Sequence, residues 1–369
     1  MSEGRRRFLR VLGASAVGLA GGARGSATAA AAEEGSGAAK GKRLYGIAYT
    51  SFAVRLQRGR DLIRGAGAPG LAAEPFVDLC RSFGADGCQM DMSQLASTEA
   101  AYLDGLRRRM DEARLFLELS VNGKALEDEA RFAEVAAVAR KLGAARLRIA
   151  LLHGRRYEDF KSMGAWREFA DHWRSVLPRA KRALDQHRLE VGIENHKDWR
   201  AEELAELIRS VGSPYLGACV DFGNNISLLE DPLDTAQTLA PYAVTTHLKD
   251  MAVRPYDRGF ELAEVPLGTG LCPLAKMIEV LRAARPEVPL CLEMITRDPL
   301  KVPYRDDAYW ASHGGRDEAR IARFEATVLS RASAEPLPRV SGLGFEAMQA
   351  QEDENVRRST AFARETLGL

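Results

Sequence analysis

The 369-residue sequence predicts an α/β chain of the (β/α)8 barrel class, a closed ring of eight parallel strands with helices outside it. Three observations predict it. Short apolar runs of strand-like composition alternate with longer helical patterns, which is the rhythm of a parallel sheet. Such repeats fill roughly 250 residues, the size of one barrel of this class. Four of the runs also end alike, on a lone acid or imidazole: Val191-Gly192-Ile193-Glu194, Ala218-Cys219-Val220-Asp221, Val244-Thr245-Thr246-His247 and Leu290-Cys291-Leu292-Glu293. A doubly wound open sheet is the rival. It would carry a glycine-rich phosphate turn after its first strand, and Tyr49-Thr50-Ser51-Phe52 is no such turn.

Leu44 to Tyr49 is the first strand, and Thr50 to Gly70, rich in Arg and Gly, is a loop. Ala73 to Phe83 places Phe76, Leu79, Cys80 and Phe83 at helical spacing, and Gly84-Ala85-Asp86-Gly87 breaks it. Cys88 to Met92 is the second strand, Ala96 to Ala113 a helix, and Leu115 to Val121 the third strand. Leu126 to Leu142 carries Phe132, Val135, Val138 and Leu142 on one face, and Gly143 stops it. Arg146 to Leu152 is the fourth strand, Met163 to His187 a long helix, and Leu189 to Glu194 the fifth strand. Ala201 to Val211 is a helix and Leu216 to Asp221 the sixth strand. Pro232 to Leu239 is a helix with Pro in its first turn. Ala243 to His247, the helix Leu271 to Ala284, and Leu290 to Glu293 complete the ring. Helical patterns follow at Asp317 to Ala332, expected to close the barrel, and at Gly344 to Leu367, an appended helix. The barrel is thus expected over 43–335 and a helical extension over 336–369.

The bulk composition, 46% hydrophobic and 28% charged, is that of a soluble globular chain. The net charge of +1 conceals an uneven distribution. Residues 1–32 hold five Arg and one Glu, contributing +4, so residues 33–369 carry −3. A weakly acidic body offers no clustered positive surface for nucleic acid. The five cysteines, Cys80, Cys88, Cys219, Cys272 and Cys291, form no CxxC pair and fall mostly in apolar runs. They read as buried free thiols.

Arg5-Arg6-Arg7-Phe8-Leu9-Arg10 precedes an apolar run from Val11 to Ala20 and then small residues with Ala-x-Ala choices between Ala27 and Ala32. A basic segment, a short apolar core and a small-residue cleavage zone make a signal peptide. The order resembles the twin-arginine export signal, so residues 1–32 are expected to direct the chain to the periplasm or another exported location. The run is too short to span a bilayer, and no Cys near the cleavage zone offers a lipid anchor. Residues 33–42 read as a flexible lead-in.

In (β/α)8 barrels reactive groups sit where strands finish. Glu194, Asp221, His247 and Glu293 all do. A single strand-end Glu can be a helix cap or half of an ion pair, and a single His is more often structural. Four such ends on consecutive strands read better as one hard, oxygen-rich site for a single divalent ion. Mn²⁺, Mg²⁺ or Co²⁺ suits that donor set better than Zn²⁺.

The runs Ile193-Glu194-Asn195-His196, Val220-Asp221-Phe222-Gly223-Asn224, His247-Leu248-Lys249-Asp250, Pro266-Leu267-Gly268-Thr269-Gly270 and Leu292-Glu293 carry a resemblance. The chain resembles the xylose-isomerase-like TIM barrel superfamily, in the branch of sugar isomerases and epimerases that includes tagatose 3-epimerase, hydroxypyruvate isomerase and inosose dehydratase. The resemblance implies that Glu194, Asp221, His247 and Glu293 bind one divalent metal and that Glu194 and Glu293 act as acid and base. A metal that holds a carbonyl and a neighbouring hydroxyl acidifies the C–H between them and stabilises an enediolate. The activity so implied is a sugar isomerase or epimerase working by proton transfer. A lyase or dehydratase on a 3-keto-glycoside or inosose is the alternative, and a non-catalytic sugar-binding protein the third reading. The partner is a small sugar or keto-sugar, and a homo-oligomer is compatible with the class.

One position departs from that pattern. Many relatives carry His three residues after the Asp, where this chain has Asn224. An amide can hydrogen-bond a substrate hydroxyl but cannot shuttle a proton. His196, Lys249 and, more weakly, His153 are the other expected substrate contacts, and Asp250 a loop-fixing carboxylate. The segment 297–315, with Tyr304, Tyr309, Trp310 and His313, is expected to form an aromatic lid over a sugar.

Overall fold

The computed structural model describes residues 44–56 and 70–369. The export signal and lead-in expected over 1–42 lie outside the described residues, as does much of the loop expected over 50–70. In chain order the elements begin with β1 (Tyr45–Ala48), α1 (Ala73–Ser82), β2 (Gly87–Asp91), α2 (Ala100–Ala113), β3 (Phe116–Asn122), α3 (Glu129–Leu142) and β4 (Arg146–Ala150). They continue with α4 (Arg156–Asp159), α5 (Met163–His187), β5 (Glu190–Glu194), α6 (Ala201–Val211), β6 (Leu216–Asp221), α7 (Pro232–Leu239) and β7 (Ala243–Leu248). Then come β8 (Asp250–Tyr256), β9 (Gly259–Val265), α8 (Leu274–Ala284), β10 (Leu290–Leu292), β11 (Leu300–Val302), α9 (Asp307–Trp310), α10 (Glu318–Thr327) and α11 (Phe345–Glu365).

Eight strands close a barrel in the order β1-β10-β7-β6-β5-β4-β3-β2, parallel at every seam, and the ring is completed where Tyr45 pairs with Leu290 and Gly46 with Gly87. The expected (β/α)8 class is the observed one. Local chemistry sets the helix ends. Asp128 accepts from Arg131 N at 2.8 Å to start α3, Ser162 starts α5, and Asp231 followed by Pro232 starts α7. The apolar stripe of each helix packs on the outward residues of the strands, among them Ile47, Met90, Leu119, Ile149, Val191 and Val220. All five cysteines are buried and free, as their apolar settings predict.

Two features depart from the sequence reading. The connection between β7 and α8 contains the antiparallel hairpin β8–β9, extended by β11 through Leu300↔Leu262 and Val302↔Phe260. It buries Phe260 against Tyr304 and Phe324. The second concerns barrel closure, expected from 317–332. The helix that lies along β1 is α11 instead: Thr360 bonds the Tyr45 hydroxyl at 3.0 Å, and Asn355 donates to Thr296 at 2.9 Å. Helix α10 packs on the hairpin through Phe324 and reaches α7 by the exposed pair of Arg323 with Asp234. Both stretches are amphipathic, and periodicity cannot say which one finds the open flank. Among the described residues no helix is long and apolar enough to cross a membrane.

Candidate functional site

The barrel interior is polar. Period-2 alternation turns Gln89, Glu118, Arg148, Glu194, Asp221, Thr245, His247 and Glu293 inward. The proof is contact across the ring. Glu118 on β3 accepts from Thr245 on β7 at 2.6 Å, and His247 on β7 meets Gln89 on β2 at 2.8 Å. Neither pair of strands is adjacent in the sheet.

Glu194, Asp221, His247 and Glu293 converge, each offering an atom within 4.8 Å of the other three. All four are buried. The register explains part of this, since Asp221 lies opposite His247 across the β6–β7 seam. Asn195 fixes the rest. Its side chain accepts from Asp221 N at 2.8 Å and donates to Asp221 O at 3.0 Å, locking the ends of β5 and β6 together. Asp221 Oδ1 is occupied by the backbone N–H groups of Gly223 and Asn224 at 2.9 and 2.7 Å. Its Oδ2 is thereby left to face inward.

These residues fit a divalent ion. Nδ1 of His247 and Oδ2 of Asp221 are buried and make no hydrogen bond, although Oδ2 is ion-paired with the Lys249 ammonium. Nδ1 lies 3.3, 3.6 and 3.4 Å from Glu194, Asp221 and Glu293. Donor atoms aimed at one point without satisfying one another are what a metal requires. The opposite ring nitrogen of His247 is held by Gln89, whose amide in turn donates to Glu118 at 3.1 Å. That chain orients the ring so that Nδ1 is the nitrogen facing the carboxylates. Cys219 lies nearby, but burial pushes its thiol up to about 11, so the set is carboxylate and imidazole.

Three clustered carboxylates stay ionised only beside cations. Arg148 pairs with Glu194, and Lys249 pairs with both Glu293 and Asp221, the latter at 2.8 Å. Burial alone would raise the pKa of Glu194. Arg148 first, and then His247, outweigh it and hold the acid well below the usual carboxylate range. Glu293 is held low in the same manner against burial, by His247 and Lys249, and its Oε1 accepts from the Thr50 hydroxyl at 2.8 Å.

A cavity of about 300 Å³ opens over the cluster, lined by Tyr49, Arg148, His153, His196, Lys197, Glu293 and Arg297 among others. His153 and His196 therefore stand where substrate contacts were expected. His153 also meets Asn122 at 3.2 Å, and burial pushes His196 down to about 3, which keeps it neutral. Asn224 and Lys249, expected with them as substrate contacts, are not part of that lining. Asn224 is enclosed, donating to Glu194 Oε1 at 2.9 Å and accepting from Lys197. Lys249 lies behind Glu293 and Asp221 as their counter-ion. Asp250 fixes the following loop, accepting from the N–H groups of Gly268, Gly270 and Cys272 at 3.0, 2.8 and 3.0 Å. A Cβ on Gly270 would lie 2.2 Å from Asp250 Oδ1, so glycine is required there.

The expected aromatic lid is a packed wall. Tyr304, Tyr309 and Trp310 are 0%, 1% and 3% exposed, and Tyr309 stacks on His313 at 4.8 Å. Of segment 297–315, Arg297 reaches the cavity, tied to Glu264 at 2.6 and 3.1 Å. Gln89, Glu118, Arg148, Lys197 and Arg297 were missed from the sequence. For the first two a signal existed, because each is a polar residue in the middle of an otherwise apolar strand.

A family model described as "Xylose isomerase-like TIM barrel" matches residues 77–313. A 3-oxo-isoapionate decarboxylase of Pectobacterium atrosepticum is 25% identical over 194 residues, covering 52% of this chain and 66% of that protein, just under two thirds of its length. Among solved structures, a D-psicose 3-epimerase crystallised with D-fructose superposes with a TM-score of 0.56 at 14% identity, over 88% of this chain and all of that one. A xylose isomerase-like TIM barrel protein from Mycobacterium smegmatis in complex with magnesium superposes with a TM-score of 0.51 at 14% identity, over 78% and 98%. At these identities the likeness to solved structures is one of fold.

Proposed function

We propose, for a chain that belongs to the xylose isomerase-like TIM barrel family, a divalent-metal-dependent enzyme that moves a proton at the carbon beside the carbonyl of a small keto-sugar. The observation that carries this reading is the asymmetry of the two glutamates. Glu293 lines the cavity, whereas Glu194 is enclosed with its oxygens taken by Asn224 and Arg148.

A divalent ion held by Glu194, Asp221, His247 and Glu293 would supply Lewis acidity to a carbonyl and the hydroxyl next to it. The hard donor set favours Mn²⁺, Mg²⁺ or Co²⁺ over Zn²⁺. Glu293, held ionised, takes the C–H proton. Lys249 and the Thr50 hydroxyl keep its carboxylate in place while it does so. Neutral His196 orients a substrate hydroxyl, since a ring held near pKa 3 does not serve as an acid at neutral pH. A single cavity-lining carboxylate returns the proton to the face it came from. That favours aldose–ketose isomerisation over epimerisation, which needs a second group on the opposite face.

A lyase is the second reading, favoured by the same single base, because elimination or decarboxylation needs no opposite-face acid. The decarboxylase relative supports it. The arginine-rich leader supports a reaction in the cell envelope.

Proton NMR in D₂O of the metal-supplied protein with a panel of keto-sugars tests the reading. Deuterium uptake beside the carbonyl with mass conserved supports the isomerase, and release of CO₂, water or an aglycone supports the lyase. An absence of exchange and of product with Mn²⁺, Mg²⁺ and Co²⁺ alike would overturn both.

A further inference from the structure

The cavity wall is richer in cations than the chemistry above requires. Arg148, Arg155, Arg297 and Lys197 all line it. The three arginines each face a carboxylate: Glu194, Glu158 and Glu264 respectively. Lys197 differs. It is 4% exposed, its ammonium donates to the amide oxygen of Asn224, and no described carboxylate forms an ion pair with it. An ammonium buried without an acid is costly. The backbone adds to the cost, since Lys197 has φ 66, a left-handed conformation that non-glycine residues rarely adopt. The loop is nonetheless pinned in this form. Lys197 O accepts from Arg156 N at 3.0 Å, and Asp198 Oδ1 accepts from His196 N and Trp199 N at 3.0 and 2.8 Å. A divalent ion at the carboxylate cluster would add positive charge next to a lysine that has no compensating acid of its own.

We propose that Lys197, with His196 and Arg297 beside it, receives an anionic group of the substrate, a carboxylate or a phosphate ester carried by the keto-sugar. The inference rests on the keto-sugar reading and narrows it. An anion brought by the ligand supplies the missing counter-charge, and Lys197, presenting one point charge, tolerates either oxyanion. Lys197 and Glu293 line the same cavity, so a ligand held by the lysine at its anionic end can present its carbonyl end to Glu293. Burial first, then repulsion from Lys249 and Arg297, pushes the Lys197 ammonium down to about 8, which leaves it charged at neutral pH.

Isothermal titration of the full chain loaded with Mn²⁺ tests this with three ligands: D-fructose, 2-keto-D-gluconate and D-fructose 6-phosphate. The first is neutral, the second carries a carboxylate and the third a phosphate. The expected result is that one of the two anions binds about tenfold or more tighter than D-fructose, as a charge-assisted contact implies. Which anion wins identifies the source. Lys197→Met should remove the preference and Lys197→Arg should retain much of it. Equal affinity for the three, no binding of any, or a preference that survives Lys197→Met would overturn the proposal. Should Lys197→Met fail to fold by circular dichroism, the wild-type preference and Lys197→Gln decide it. Metal content measured on the same samples separates the two ideas. A chain that takes up no divalent ion refutes the metal reading, whereas a loaded chain without anion preference refutes this one alone.

Discussion

Glu194 and Glu118 are glutamates of one barrel interior, both fully buried, yet their partners differ in charge. Glu194 at the end of β5 faces Arg148, and against the opposing effect of burial it is held well below the usual carboxylate range. Glu118 in β3 has neutral partners, Thr245 at 2.6 Å, Gln89 at 3.1 Å and Cys291 at 3.6 Å, and burial raises its pKa. The depth of burial is the same. The direction of the shift follows from what was placed alongside: cations at the strand ends, hydroxyl, amide and thiol one layer below. The upper layer holds four donor side chains that converge on one point and could hold a metal ion. The lower layer is the frame that orients one of its ligands.

The comparison can be broken at several points. The largest effect should come from Glu293→Gln, which removes a carboxylate of the upper layer that also faces the cavity. Proton exchange should fall by about 10²–10⁴-fold or more, and exchange at the wild-type rate in the D₂O assay would remove Glu293 from the role of base. Next is Arg148→Met. It leaves the Glu194 charge buried without its guanidinium, at a cost of about 3–5 kcal/mol read from denaturant unfolding of the metal-free chain. A loss below 1 kcal/mol would mean that Arg148 is not what keeps Glu194 ionised.

Gln89→Leu acts between the two layers. It breaks the link from Glu118 to His247, so Mn²⁺ affinity should weaken by about 10–100-fold while the fold survives. Unchanged affinity in a competitive chelator titration would show that the link does not orient the ring. Glu118→Gln should have the smallest effect, within about 1 kcal/mol in mildly acid solution, because it imitates the protonated acid. Its pH dependence is the sharper readout. A carboxyl with a raised folded pKa contributes stability that is complete below its unfolded pKa and is lost as pH rises through the folded value. Relative to the wild type, Glu118→Gln should therefore gain stability as pH rises through that range. Melting curves showing no relative gain would place Glu118 with Glu194 among the permanent anions.

Much of the upper layer was legible in the sequence because each ligand ends its own strand. Glu194, Asp221, His247 and Glu293 follow apolar runs that can only be strands, and such ends gather at one face of a barrel. The lower layer left a fainter trace. Gln89 and Glu118 interrupt apolar strands, but what they touch depends on ring closure: Glu118 and Thr245 lie 127 positions apart. The aromatic segment misled for a related reason. Tyr304, Tyr309 and Trp310 have the composition of a sugar lid, yet all three are buried, Tyr304 against Phe260 of β9 and Phe324 of α10 and Tyr309 against Tyr157 and Trp310.

By itself the sequence determined the barrel class and the four converging donors, because strand period, helix period and polar strand ends are local properties. It also determined that the cysteines would be ordinary buried thiols. Only the tertiary structure decided which helix closes the ring, that Lys249 and Asn224 stand behind the ligands, and that Lys197 faces the cavity without an acid of its own. Those outcomes depend on which buried charges meet, and in a closed barrel that is settled by contacts between strands far apart in the chain.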